Sequence, residues 1–226
     1  MLLGVSVNAI TIVLCGLLGS KIGKYIPEKH SELVMAGIKI IIMVLGISFA
    51  INTENILIVI ISIVLGSLIG ETIDIDGKMK IFSDKITSKL KTEGNSFSVA
   101  FVTSSLVFCV GSMAILAAIG SGVEGDHSIH FTKAVVDGIA SIFFASTLGI
   151  GVAASGVAVF VYQGLLTIMA SFIAPYATAQ IMTELSATGG IMLIALSFSM
   201  LDFMKVKVAN MMPALIFPVL IIILFL

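Results

Sequence analysis

The sequence predicts an all-α polytopic membrane bundle of about eight transmembrane helices, and three observations carry that reading. Hydrophobic residues make up 58% of the chain and charged residues 11%, whereas a water-soluble domain runs near a quarter charged. Apolar runs long enough to cross a bilayer follow one another along almost the whole length, at 2–20, 34–51, 55–70, 96–119, 131–150, 154–174, 185–201 and 209–226. All 12 basic residues are lysines, and they gather in alternate connections.

The lysines set the orientation. Lys21, Lys24 and Lys29 follow the first run; Lys78, Lys80, Lys85, Lys89 and Lys91 follow the third; Lys205 and Lys207 precede the last. With eight alternating crossings these connections share one side, which the positive-inside rule makes cytoplasmic, so both termini face outward. Lys39 sits near that side and Lys133 opposes it. The N-terminus lacks a basic segment and a cleavage site of small residues, so the first run is expected to be retained.

The chain 1–226 reads as one membrane domain with two polar connections of note. In the first, 71–95, residues Ile75, Met79, Phe82, Ile86 and Leu90 recur at helical spacing among lysines and acids. That pattern predicts an amphipathic helix on the cytoplasmic leaflet. The second, 120–130, is a glycine-rich external loop. The two cysteines, Cys15 and Cys109, fall in apolar runs and read as packing residues.

An internal repeat relates the two ends. Gly16-Leu17-Leu18 with Pro27 matches Gly164-Leu165-Leu166 with Pro175; Glu32 and Gly37 match Glu184 and Gly189; Ser62 and Gly66 match Asn210 and Ala214. Spans one to three then correspond to spans six to eight with opposite direction, a 3+3 inverted repeat of the kind from which secondary transporters are built.

The functional candidates are the few polar groups inside the spans, where a charge costs on the order of 2.5–3.5 kcal/mol. Asp137 leads. It could coordinate a cation or carry a proton, with Ser141 one turn on, or it could pair with Lys133 one turn back and serve structure alone. Ser98, Ser105, Cys109 and Ser112 form a stripe on the fourth span, and Asn8, Thr11, Cys15 and Gly19 a narrow face on the first. Gln163, in mid-span, needs a partner. Asn210 lies near Pro213 and Pro218, which free backbone carbonyls. Glu184 is read as an entrance carboxylate favouring its own helix dipole. Gly19, Gly23, Gly66 and Gly70 read as close helix contacts. Asp126, His127 and His130 form a weak metal candidate or simply a flexible turn. A net charge of −1 gives no pull toward nucleic acid, and no phosphate-binding loop, zinc-protease motif or nucleophile elbow is present, so no enzyme and no cofactor is expected.

Several segments together are similar to a known family: Val110-Gly111-Ser112-Met113-Ala114-Ile115, Gly125-Asp126, Lys133 with Asp137-Gly138, Phe144 to Gly151, Tyr162-Gln163-Gly164, and Ala209-Asn210 with Pro213-Ala214. They resemble the bacterial family of domain of unknown function 554, the YqgA-like membrane proteins. The resemblance implies a bacterial inner-membrane protein of no established activity, with Ser112, Asp126, Lys133, Asp137, Ser146, Thr147 and Gln163 as shared positions. The expected function is a secondary transporter, homo-oligomeric, moving a small solute or cation through a site of Asp137, Ser141, Ser112, Ser105, Gln163, Thr147, Asn8 and Asn210. A fixed-pore channel and a non-transporting scaffold or accessory subunit are the alternatives.

Overall fold

The computed structural model describes residues 1–25, 27–78, 81, 94–109 and 112–225, and within these the side chains other than those of residues 28, 31, 94–96, 112 and 225. The described backbone is helical: α1 (Leu3–Gly23), α2 (Glu28–Ala50), α3 (Ile56–Ile73), α4 (Gly94–Cys109), α5 (Ser112–Ile119), α6 (Ser128–Leu148), α7 (Gly151–Ile168), α8 (Ala170–Ile173), α9 (Ala179–Met200) and α10 (Phe217–Phe225). A π-helical turn at Gly120–Glu124 and a 3-10 segment at Val208–Leu215 complete the main elements.

Six helices, α1, α2, α3, α6, α7 and α9, are long and apolar enough to cross a membrane. The fourth and eighth expected spans are built differently. The fourth is a pair of helices, Phe97–Cys109 and Met113–Glu124, whose axes diverge by 62°. The eighth is a shorter apolar stretch, Val208–Leu224, whose 3-10 part contains Pro213, a residue with no backbone N–H to donate. The fifth and sixth are two separate helices. Gly149, at φ +90°, makes the turn between them, a backbone geometry open to glycine. The amphipathic helix expected within 71–95 lies mostly outside the described residues, apart from a helical stretch at 75–78.

Side-chain distribution is that of a bundle dissolved in lipid. Large apolar residues such as Leu18, Ile40, Leu68, Val135, Phe143 and Val161 face outward. The interior holds Asn8, Ser62, His130, Lys133, Asp137, Gln163 and Glu184 beside an apolar cluster that includes Ile12, Ile42, Leu106, Phe108, Phe144, Val159 and Met192. Hydrocarbon outside gives no hydrophobic drive between helices, so close packing of small residues takes over. Gly16 sits on the Ala153 backbone, Gly46 on Gly190, Gly66 on Ala214 and Gly70 on Asn210.

These contacts also fix direction. α1 runs parallel to α6 (Gly4 beside His130, Gly23 beside Ser146) and antiparallel to α7. α2 runs antiparallel to α9, with Ser197 Oγ donating to the Lys39 carbonyl at 2.7 Å. α3 runs antiparallel to the 3-10 segment, tied by Lys207 Nζ to Glu71 Oε1 at 2.5 Å. The glycine contacts expected at Gly19, Gly23, Gly66 and Gly70 are therefore where the bundle is closest.

Candidate functional site

Along α6, His130, Lys133, Asp137, Ser141, Phe144 and Leu148 recur at steps of three and four, which places them on one helical face. All six are buried. The face meets α1, whose narrow polar face lies across it: the His130 side chain rests on Gly4, and Thr11 and Cys15 cover Gly138.

At the centre, Lys133 Nζ donates to Asp137 Oδ2 at 2.6 Å. Asn8 Nδ2 reaches the same oxygen at 3.1 Å and Gln163 Oε1 at 3.3 Å. Three helices, α1, α6 and α7, are therefore joined through Asn8, beside one carboxylate midway along α6. Asn8, His130 and Gln163 are 0% exposed. Gln163 stands beside His130, yet Asn8 Oδ1, Gln163 Nε2, His130 Nε2 and Ser141 Oγ have no hydrogen-bond partner of acceptable geometry among the described residues. A buried polar group left unsatisfied costs about 1–3 kcal/mol. Four such atoms around one ion pair form a site with bonding capacity to spare.

A second set of bonds runs from this site to the loop end. Ser121 Oγ lies 2.8 Å from His130 Nδ1 and 2.8 Å from His127 Nδ1. Asp126 accepts the backbone N–H and the hydroxyl of Ser128, each at 2.9 Å. The first of these bonds, then the second, holds its carboxyl below the usual aspartate range.

On another side, Lys133 and Asp137 line a cavity of about 700 Å³. Its remaining walls are apolar, among them Ile38, Ile41, Phe108, Phe144 and Leu193. The carboxylate is thus tied to its neighbouring ammonium and still borders a void. A further cavity of about 660 Å³ opens at the lysine-rich end, where Lys39, Asp76, Ser98, Asp202, Lys205 and Lys207 meet; nothing in the sequence reading singled it out.

The family model described as "Protein of unknown function (DUF554)" matches residues 3–223. The chain belongs to the DUF554 family. It is similar to the "Uncharacterized membrane protein YdfK" of Bacillus subtilis (strain 168), 27% identical over 95% of this chain and 93% of that protein. It is also similar to the "Uncharacterized protein YqgA" of Escherichia coli (strain K12), 28% identical over 96% of this chain and 94% of that protein. No solved structure matches.

Among the other residues singled out in this DUF554 chain, several lie away from Asp137. Asn210 donates to Glu71 Oε2 at 2.5 Å and accepts the Asp76 N–H at 2.6 Å, at the lysine-rich end. Thr147 bonds back to the Phe143 and Phe144 carbonyls near the end of α6. Of the α4 stripe, Cys109 lies within electrostatic reach of Lys133 and Asp137. Ser98 lines the lysine-end cavity, Ser105 Oγ is buried with no partner among the described residues, and the Ser112 side chain, at the start of α5, lies outside the described ones. Both cysteines are free thiols. His127 and His130 turn their Nδ1 atoms to Ser121, and among the described residues no three His, Cys, Asp or Glu side chains stand together as metal ligands.

Glu184 corrects the entrance reading. It is 0% exposed, and its carboxylate accepts the Thr53 hydroxyl at 2.6 Å and the backbone N–H groups of Glu54 and Asn55 at 2.7 and 2.8 Å. It serves the start of α3, where N–H groups lack intrahelical acceptors, rather than the dipole of its own helix. His130 was missed as a member of the central site. The three- and four-residue periodicity of α6 was the signal that could have found it.

Proposed function

We propose that this DUF554 protein is a secondary transporter of a small solute or ion, with its binding site at Asp137, Lys133, Asn8, Gln163 and Ser141. The observation that carries the reading is the group of orphaned polar atoms around the ion pair. An ion pair serving structure alone would be expected to have its neighbours' hydrogen bonds closed, because a half-satisfied polar network costs more than an apolar core. A site that binds and releases a polar species needs donors and acceptors in reserve. The place is also that of transporter sites, midway along a span.

The inverted repeat belongs to the same proposal. α1, α2 and α3 lie antiparallel to α7, α9 and the 3-10 segment, the elements that match them by sequence, and Gly66 packs on its own sequence match, Ala214. Rocking of such halves would open the site alternately to each side. The bent fourth span and the short eighth complete eight crossings, with the lysine-rich end cytoplasmic and the termini outside. The Lys133–Asp137 bond favours a second reading, a non-transporting scaffold in which the pair only holds helices together.

Proteoliposomes on a solid-supported membrane, challenged with amino acids, organic acids and alkali cations, separate the two. The transporter reading expects a solute-dependent current that Asp137→Asn abolishes. Undiminished current through folded Asp137→Asn protein would remove Asp137 from the site, and the scaffold reading expects that variant to change assembly only.

A further inference from the structure

We propose that the coupling ion is a proton, delivered to the Asp137 site from the loop end through a relay of His127, Ser121 and His130. The inference rests on the transporter reading of the site and names its coupling ion and entry path. Three observations on separate elements carry it. His127, only partly buried, begins the path in the connection before α6, and Ser121 in the π-helical turn bridges it to the fully buried His130 through two contacts of 2.8 Å. A hydroxyl between two imidazoles is a competent proton conductor, because each group can accept on one side while it donates on the other. Beyond His130, Gln163 stands beside the ring and Asn8 joins Gln163 to the Asp137 carboxylate, while His130 Nε2, Gln163 Nε2 and Asn8 Oδ1 have no partner among the described residues.

The transfer balances without any redox partner. A proton from solution binds His127 Nε2 while its Nδ1 proton passes to Ser121 Oγ. The serine's own proton passes to His130 Nδ1, and His130 releases its Nε2 proton inward. An amide does not conduct protons, so the last step runs over one water, or the solute itself, held by the Gln163 and Asn8 side chains. Rotation of the hydroxyl and the two rings resets the path.

The groups facing this path are few. Asp137 meets Lys133 on its own helix and Asn8 on α1, whose amide also reaches Gln163 on α7, with Cys109 of α4 nearby. His130 meets Ser121, the Gly4 backbone and Gln163, with His127 and Lys133 as its charged neighbours. α2 and α9 bring only apolar side chains to the adjoining cavity. At the entrance, the Asp126 carboxylate lies within electrostatic reach of His127, and the Ser121 hydroxyl also donates to the Asp126 carbonyl at 3.2 Å; around His130 and Asp137 themselves these residues include no second carboxylate.

The test uses full-length protein in nanodiscs, a flash-released caged proton, and time-resolved infrared detection of the protonated carboxyl band, assigned by its loss in Asp137→Asn. The relay predicts that Ser121→Ala slows Asp137 protonation about tenfold or more. Ser121→Thr restores it, and His30→Ala, at the other end of the bundle, leaves it unchanged. Equal rates in wild type and Ser121→Ala, with both folded, would overturn the relay. Loss of solute current with the Ser121 dependence intact would sink the carrier and leave the proton path standing.

Discussion

Glu184 accepts the hydroxyl of Thr53 at 2.6 Å across 131 residues of sequence, and with its other oxygen it takes the first backbone N–H groups ahead of α3. One buried carboxylate therefore anchors the α2–α3 hairpin on α9. Glu184→Ala leaves these donors unsatisfied and should destabilise the protein by about 3 kcal/mol, with Thr53→Val costing about 1 kcal/mol. Thermal unfolding in detergent checks the order of the two.

Lys133 and Asp137 should behave as a unit. Removing either partner alone leaves a buried charge uncompensated, at a cost of about 3–5 kcal/mol, whereas Lys133→Met with Asp137→Leu should be close to neutral. A double-mutant cycle measures the coupling. The stable double variant also tests function without the confusion of misfolding, and transport should be absent from it.

Two glycines should respond oppositely to alanine. A Cβ on Gly66 would lie 2.3 Å from the Ala214 backbone, while one on Gly37 would meet nothing within 4 Å. Gly66→Ala should therefore cost about 1–3 kcal/mol by overpacking. Gly37→Ala should be neutral or stabilise by up to about 1 kcal/mol through helix propensity. Chemical-denaturant midpoints of the pair give the comparison.

Asp126 should show the pH dependence of a carboxylate held low by its bonds to Ser128. Its contribution to stability is present above the ordinary aspartate range and is lost as pH falls through its lowered value. Ser128→Ala removes the side-chain bond and leaves the backbone one, so the Asp126 titration should move part of the way up. Carboxyl NMR of the labelled residue reads the shift.

Positions 126 and 205 should lie on opposite sides of the membrane. Cysteines placed there, in a chain whose Cys15 and Cys109 are replaced, should react with an impermeant maleimide from outside at 126 and only after permeabilisation at 205. Labelling of both from the same side would refute the eight-crossing orientation.

The membrane class, the six long apolar helices and the placing of Asp137, Asn8 and Gln163 inside them were legible in the sequence, because a charge or amide inside an apolar run stands out against its surroundings. So were Gly66 and Gly70, whose spacing places them on one face. Glu184 was misread for an instructive reason. Its repeat counterpart Glu32 is exposed, and position along a helix does not say whose N-terminus a carboxylate will meet. The contacts from His127 to His130 were equally hidden, since they depend on a π-helical turn that brings Ser121 between His127, just ahead of α6, and His130 within it.

Sequence alone determined the solvent of this protein, because transfer of apolar surface into lipid is a sum over residues and needs no knowledge of neighbours. Which polar groups share one interior site was decided only by tertiary structure. Asn8, Asp137 and Gln163 lie as far as 155 residues apart and meet within 3.3 Å only because glycines let α1 press against both α6 and α7. Hydrogen bonds act over a few ångströms, so their partners are chosen by packing and not by order along the chain.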